Sequence, residues 1–166
     1  EVLKALEYAH KRQVMRGGRA VPLEIVHRDI CPANVIVSYK GEIKLTDFGI
    51  VKASVRAMNT VSGVVKGRFD YLSPEQARGE DIDCRSDLFS AGVLLYEMLT
   101  GRHPFARPRQ PDTLMAIKTC DFKRPSHINP EVPAALDLLI SQTRHPDPGQ
   151  RFHSATAMKD TLDRFF

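Results

Sequence analysis

A chain of 166 residues with 42% hydrophobic and 27% charged residues is long enough for one domain with its own core and too apolar for a disordered tail. Its 24 Lys and Arg against 20 Asp and Glu leave a net charge of +4, too small to argue for nucleic acid or an anionic lipid surface, and it contains no apolar run long enough to span a bilayer. Cys31, Cys84 and Cys120, odd in number and without a CxxC pair, give neither a disulfide framework nor a zinc site and fit a reducing compartment.

Residues 1–14 place Val2, Ala5, Leu6 and Ala9 on one face and predict an amphipathic helix, stopped by Gly17-Gly18. The chain opens at Glu1 inside this pattern, without an initiator methionine, and so reads as a piece of a longer protein. A basic stretch with Pro22 follows. Val35-Ile36-Val37 and Ile43-Lys44-Leu45 then read as two short strands around residues 38–42, the one hairpin of the chain. Residues 50–69 hold no acid but carry Lys52, Arg56, Lys66 and Arg68, a loop whose length points to function or disorder. Residues 86–100 form the most hydrophobic helix, with Leu88, Phe89, Val93, Leu94, Leu95, Tyr96, Met98 and Leu99 on nearly all faces, the pattern of a core helix closed by Gly101. Residues 106–112, rich in Pro and Arg, read as a solvated connector. Further helices are expected over 113–119, around Leu136, Leu139 and Ile140, and around Ala155, Met158 and Leu162. The fold class is α+β, predominantly α-helical, in a single domain over residues 1–166.

If 35–37 pair antiparallel with 43–45, Val35 faces Leu45, Asn34 faces Thr46 and Ala33 faces Asp47. Opposed residues lie about 4.5–5.5 Å apart, so Asn34 and Asp47 meet at the hairpin mouth. A carboxylate beside an amide oxygen suits Mg²⁺, which takes few protein ligands and keeps waters or phosphates. Taken alone, Asn and Asp at strand ends also serve as caps and turn formers.

The string His27-Arg28-Asp29-Ile30-Cys31-Pro32-Ala33-Asn34 resembles the catalytic loop of eukaryotic-type protein kinases, and Asp47-Phe48-Gly49 resembles their metal-binding motif. The likeness continues in order through Ser73-Pro74-Glu75, Asp87-Leu88-Phe89-Ser90-Ala91-Gly92 and Arg151, over the whole chain. The small residue, proline and Asn34 after Asp29, together with Gly67-Arg68-Phe69-Asp70-Tyr71-Leu72-Ser73-Pro74-Glu75-Gln76, are similar to a group of bacterial serine/threonine kinases, many of them myxobacterial. The long link over residues 16–24 fits that group too.

The resemblance implies a protein-kinase-like fold, its C-terminal lobe only, with a small β-hairpin and helices around a buried central helix. It implies transfer of the γ-phosphate of ATP to Ser or Thr hydroxyls of protein substrates, with Mg²⁺ or Mn²⁺ and without nucleic acid. Asp29 is then the residue that accepts or orients the hydroxyl proton, beside Arg28, while Asn34 and Asp47 hold the metal. Ile36 lies where the family has its adenine floor, and as a residue reads equally as an ordinary core strand position. His27 and Phe48 correspond to a packed pair below the site, next to Gly49. Asp87 corresponds to the buried acid that bonds the catalytic-loop backbone. Glu75 and Arg151 correspond to a buried ion pair whose breaking costs roughly 3–5 kcal/mol. Arg28 before the catalytic Asp implies control by phosphorylation at Ser54, Thr60 or Ser62. ATP places this lobe in the cytoplasm, with any membrane anchor outside these residues.

Two positions depart from the pattern. Cys31 stands where serine/threonine kinases have Lys, and Arg68 follows Gly67 where they have Thr. Arg68 either restores the lost charge or is a solvated surface residue, and Cys31 is either a reactive thiol or a tolerated small residue. The chain has no glycine-rich phosphate loop, strand lysine or partner helix glutamate, so its N-terminal lobe is expected elsewhere and the isolated residues are expected to transfer little phosphate. Two other readings compete. A pseudokinase or scaffold module is opposed by intact Asp29, Asn34 and Asp47. A small-molecule phosphotransferase is opposed by Ser73-Pro74-Glu75, the motif at 87–92 and Arg151.

Overall fold

The structure, a computed structural model, describes residues 1–48 and 69–165. Helix α1 spans Val2–His10 and buries Leu3, Leu6 and Ala9, three-residue steps that keep one stripe against the core. It is shorter than the 1–14 pattern predicts, because residues 13–22 form a second hairpin. Strand β1, Gln13–Arg16, pairs antiparallel with β2, Arg19–Pro22, with Val14 opposite Val21 and Arg16 opposite Arg19. Gly17 and Gly18 have φ of 56° and 79°, the two left-handed residues that a type I′ turn needs, so these glycines reverse the chain instead of merely ending a helix. All eight strand residues are exposed.

Strands β3, Val35–Val37, and β4, Ile43–Leu45, pair in the expected register, Val35 opposite Leu45. The reading of Ile36 as an ordinary core residue is corrected: Ile36 is 54% exposed, and this face of the ribbon has no cover among the described residues.

Helix α2, Pro74–Arg78, is short and strongly capped. Ser73 Oγ accepts from Gln76 N, and Gln76 Oε1 accepts from Ser73 N. The central helix α3, Cys84–Thr100, starts two residues earlier than the hydrophobic pattern, at the point where the Asp83 carboxylate accepts from Arg85 N, and ends at left-handed Gly101. Its first half is buried all round, the polar Ser86, Asp87 and Ser90 included, whereas Met98 is 74% exposed and does not join the core. Helix α4, Gln110–Thr119, takes up the end of the expected connector: Pro111 sits in its first turn, where a missing N–H costs nothing, and Arg109 pairs with Asp112 at 2.7 Å. Helices α5, Pro125–Ile128, α6, Ala134–Thr143, and α7, Ala155–Leu162, complete the described helices. Among the described residues no helix is long and apolar enough to cross a membrane.

Two apolar clusters flank α3. Leu88 and Ala91 pack with Leu3 and Leu6 of α1, Leu139 of α6 and Met158 of α7; Phe89 and Val93 pack with Phe105 and with Ala116 and Ile117 of α4. Gly92 lies where α3 crosses α6, so close that a Cβ there would stand 2.4 Å from Thr143 Oγ1. Just beyond, Arg144 is fully buried with its guanidinium over the rings of Phe122, at 3.7 Å, and Tyr96, at 4.3 Å, and without a hydrogen-bond acceptor among the described residues. Burial pushes its pKa down to about 9.

Candidate catalytic site

The segment before β3 is not regular structure, so side chains from distant helices must hold its backbone. Asp87 of α3, 1% exposed, supplies the main support. Its Oδ2 accepts from His27 N and its Oδ1 from Arg28 N, both at 2.8 Å, and His10 Nε2 at the end of α1 donates to Oδ2 at 2.8 Å. Three donors on one buried carboxylate offset its loss of hydration. The two peptide bonds pinned in this way lead into Arg28, whose φ of 74° is unusual for a side-chain-bearing residue.

His27 works through its ring as well. Its Nε2 donates to Thr46 O at 2.8 Å, its Nδ1 accepts from Asp29 N at 3.3 Å, and its ring lies 4.4 Å from that of Phe48. Those two bonds require the neutral tautomer with the proton on Nε2. One side chain thus joins the loop before β3 to the segment after β4.

On the other side of the ribbon, Pro32–Asn34 forms one 3₁₀ turn, and Thr46 N donates to Asn34 O at 2.9 Å, which sets Asn34 opposite Thr46 as the register predicts. The Asn34 side chain is buried and its Nδ2 donates to Asp29 O at 2.7 Å, leaving the amide oxygen as the atom able to face a cation. Asp47, one residue past Thr46, is exposed and has φ of 61°. The donor set, one carboxylate and one amide oxygen, is of the kind that suits a hard cation completed by phosphate oxygens or water. Asp29, partly exposed, precedes both groups in the chain and is bonded to His27 and Asn34 through its backbone.

Glu75 of α2 and Arg151 form a two-pronged ion pair, Arg151 Nη1 to Glu75 Oε1 at 2.7 Å and Nη2 to Oε2 at 2.8 Å, with both side chains almost wholly buried. Ser86 Oγ adds a third bond to Glu75 Oε1 at 2.5 Å. Burial pushes Glu75 upward, but Arg151 and Ser86 pull it further down, so its pKa lies below 4.5.

The structure therefore brings together His27, Arg28, Asp29, Asn34, Asp47, Phe48 and Asp87, and separately Glu75 and Arg151. Ile36 stands apart on the exposed ribbon face. Gly49, Lys52, Ser54, Thr60, Ser62, Gly67 and Arg68 lie outside the described residues, so the phosphorylation and compensation expectations have no geometry here. Cys31 is buried, which is at odds with an accessible reactive thiol. Sequence reasoning missed two supports. His10 left no local signal. Gln76, whose Nε2 donates to Arg28 O at 2.9 Å, stood in plain view as the fourth residue of Ser73-Pro74-Glu75-Gln76, a capping-box pattern.

Comparison with known proteins agrees with this layout. Residues 1–162 match the protein kinase domain family. The chain is 39% identical, over 99% of its length, to the tyrosine-protein kinase MasK of Myxococcus xanthus, of which it covers 25%. It is 41% identical, over 97% of its length, to the probable serine/threonine-protein kinase PknB of Bifidobacterium longum, covering 22% of that protein. It is 40% identical, over 84% of its length, to the serine/threonine-protein kinase PknL of Mycobacterium tuberculosis, covering 35% of it. The chain thus spans about a quarter to a third of these relatives. On the family match and these identities, it belongs to the protein kinase domain family, among the Hanks-type kinases of bacteria.

Proposed function

We propose that residues 1–166 are the C-terminal lobe of a bacterial kinase that transfers the γ-phosphate of ATP to Ser and Thr hydroxyls of proteins. The observation that carries this reading is Asp87: it holds the His27 and Arg28 amides, and with them the backbone that leads into Asp29, whose carbonyl accepts from Asn34. The bond between the γ-phosphorus and the bridging oxygen of ATP breaks, a bond to the substrate oxygen forms, and the hydroxyl proton passes to the Asp29 carboxylate. Asn34 and Asp47 would hold Mg²⁺ or Mn²⁺, which would supply positive charge against the phosphates in the loose transition state. His27 and Asn34 keep the Asp29 backbone in place, and positioning is most of what phosphoryl transfer asks of a protein. Ile36, apolar and exposed, is the surface on which the adenine rests. The lobe that covers the triphosphate is supplied from outside these residues, since their sequence holds no glycine-rich loop or strand lysine. Arg28 receives a phosphate placed on Ser54, Thr60 or Ser62.

Purified full-length protein is expected to label a protein substrate from radioactive ATP in the presence of Mg²⁺. Asp29→Asn and Asp47→Ala should each cut that labelling by about 100-fold or more. Labelling by both variants at the parent's level would sink the reading. A tyrosine-directed activity has one observation in its favour, the 39% identity to the kinase named for tyrosine. Phosphoamino-acid analysis of the labelled product separates the two.

A further inference from the structure

The peptide group between Arg28 and Asp29 is held at both of its polar ends. Its N–H, on Asp29, donates to His27 Nδ1 at 3.3 Å, and its C=O, on Arg28, accepts from Gln76 Nε2 at 2.9 Å. The N–H of the preceding peptide group, on Arg28, is taken by Asp87. Gln76 comes from α2, a different element, and is itself fixed: it is 6% exposed, its Oε1 accepts from Ser73 N at 2.9 Å, and its backbone N–H donates to Ser73 Oγ. The next residue toward the N-terminus, Glu75, is locked to Arg151 and Ser86. A planar amide with its oxygen committed to the cap has its NH₂ held in a fixed plane, and one of its two N–H groups donates to the Arg28 carbonyl.

We propose that Gln76 is a positioning residue for catalysis: it uses the anchored α2 helix to fix the peptide plane that presents Asp29. This rests on the kinase reading above. Arg28 sits at φ of 74°, a conformation that costs free energy unless the surroundings impose it. Asp87 and His27 constrain the N–H groups on either side of it, and Gln76 constrains the carbonyl. Without that third hold the plane is free to rotate about the bonds flanking it, carrying the Asp29 carboxylate with it. A displacement of about 1 Å at a reacting group costs on the order of 100-fold in rate. Gln76 touches neither phosphate nor hydroxyl in this scheme and acts only through Asp29.

The test separates the tie from the cap, which Gln76 also completes. Gln76→Met, in the full-length protein, removes both without burying a new charge. Ser73→Ala removes the cap's hydroxyl and leaves the amide of Gln76 to reach Arg28. Both variants should lower the melting temperature. Only Gln76→Met should lower kcat, by about 10- to 100-fold, with KM for ATP within about threefold of the parent. Gln76→Glu keeps an oxygen for Ser73 N and replaces the N–H facing Arg28 O, so it should lose kcat in the same way. If kcat of Gln76→Met stays near the parent, or if Ser73→Ala loses as much kcat, Gln76 is a helix cap and nothing more. Should the Met variant fail to fold, the Glu variant decides alone, retained kcat overturning the proposal. An inactive parent protein would instead refute the kinase reading itself, which keeps the two failures apart.

Discussion

Arg144 shows how one residue can run against the usual rule for buried charge. A guanidinium carries five N–H donors, and here all three nitrogens are buried without an acceptor among the described residues, against the π-faces of Phe122, Tyr96 and, further off, Phe105. Cation–π attraction of about 2 kcal/mol when desolvated offsets part of the several kcal/mol that dehydration costs. The depressed pKa says that the neutral form is favoured relative to water, so dehydration prevails. Methionine has a similar unbranched length and needs no partner. Arg144→Met should therefore stabilise the fold, by about 1–2 kcal/mol, as a rise in urea midpoint. A fall would show that the rings more than compensate.

Between elements, the close crossing of α3 and α6 depends on Gly92. In an open helix, Gly to Ala gains up to about 1 kcal/mol from propensity. Here the added methyl would stand 2.4 Å from Thr143 Oγ1 and 2.8 Å from Thr143 Cβ, so the helices must part. Gly92→Ala is expected to destabilise by about 1–3 kcal/mol in thermal melts, and Gly92→Ala with Thr143→Ala to recover most of the loss. Elements of this kind were legible where the chain declares its own period or its own stops. The β3–β4 register follows from apolar triplets either side of a short turn, and the end of α3 follows from Gly101. The β1–β2 ribbon did not declare itself, because it buries neither face and so shows no apolar alternation; only the paired glycines marked it. The start of α4 was hidden by Pro111, which reads as a breaker in isolation yet is well placed in a first turn.

For the whole molecule, the candidate site groups were legible in the sequence, and the side chains that hold their backbone were legible only in part. Asp29, Asn34 and Asp47 lie within one short stretch of sequence, so motif and register bring them together. Asp87 was legible too, through its motif at 87–92, whereas His10 and Gln76 reach Asp87 and the loop from separate helices, and no local pattern announces a hydrogen bond between elements. The molecule's response to acid is spread over distant residues in the same way. Burial holds the His103 pKa below 6.5, so the unfolded chain takes up a proton that the folded chain refuses. That stability is complete above pH 6.5 and declines as the pH falls toward the lowered value. Glu75, with its pKa held below 4.5 when folded, adds a second decline that begins near pH 4.5 and continues downward. Unfolding free energy measured against pH should show both limbs. His103→Asn, which retains an acceptor for Phe105 N, should flatten the upper one.

The convergence on Asp87 has a practical corollary. The three donors it gathers are 59, 60 and 77 positions away in the sequence, so the loop that carries Asp29 takes its shape only in molecules whose first helix, catalytic segment and central helix have all met. Chains short of that point own every acidic group yet lack the constellation. On the kinase reading proposed above, turnover per milligram of the full-length protein is then a titre of correctly assembled molecules, and a preparation's specific activity should track its native fraction more faithfully than its helix content does.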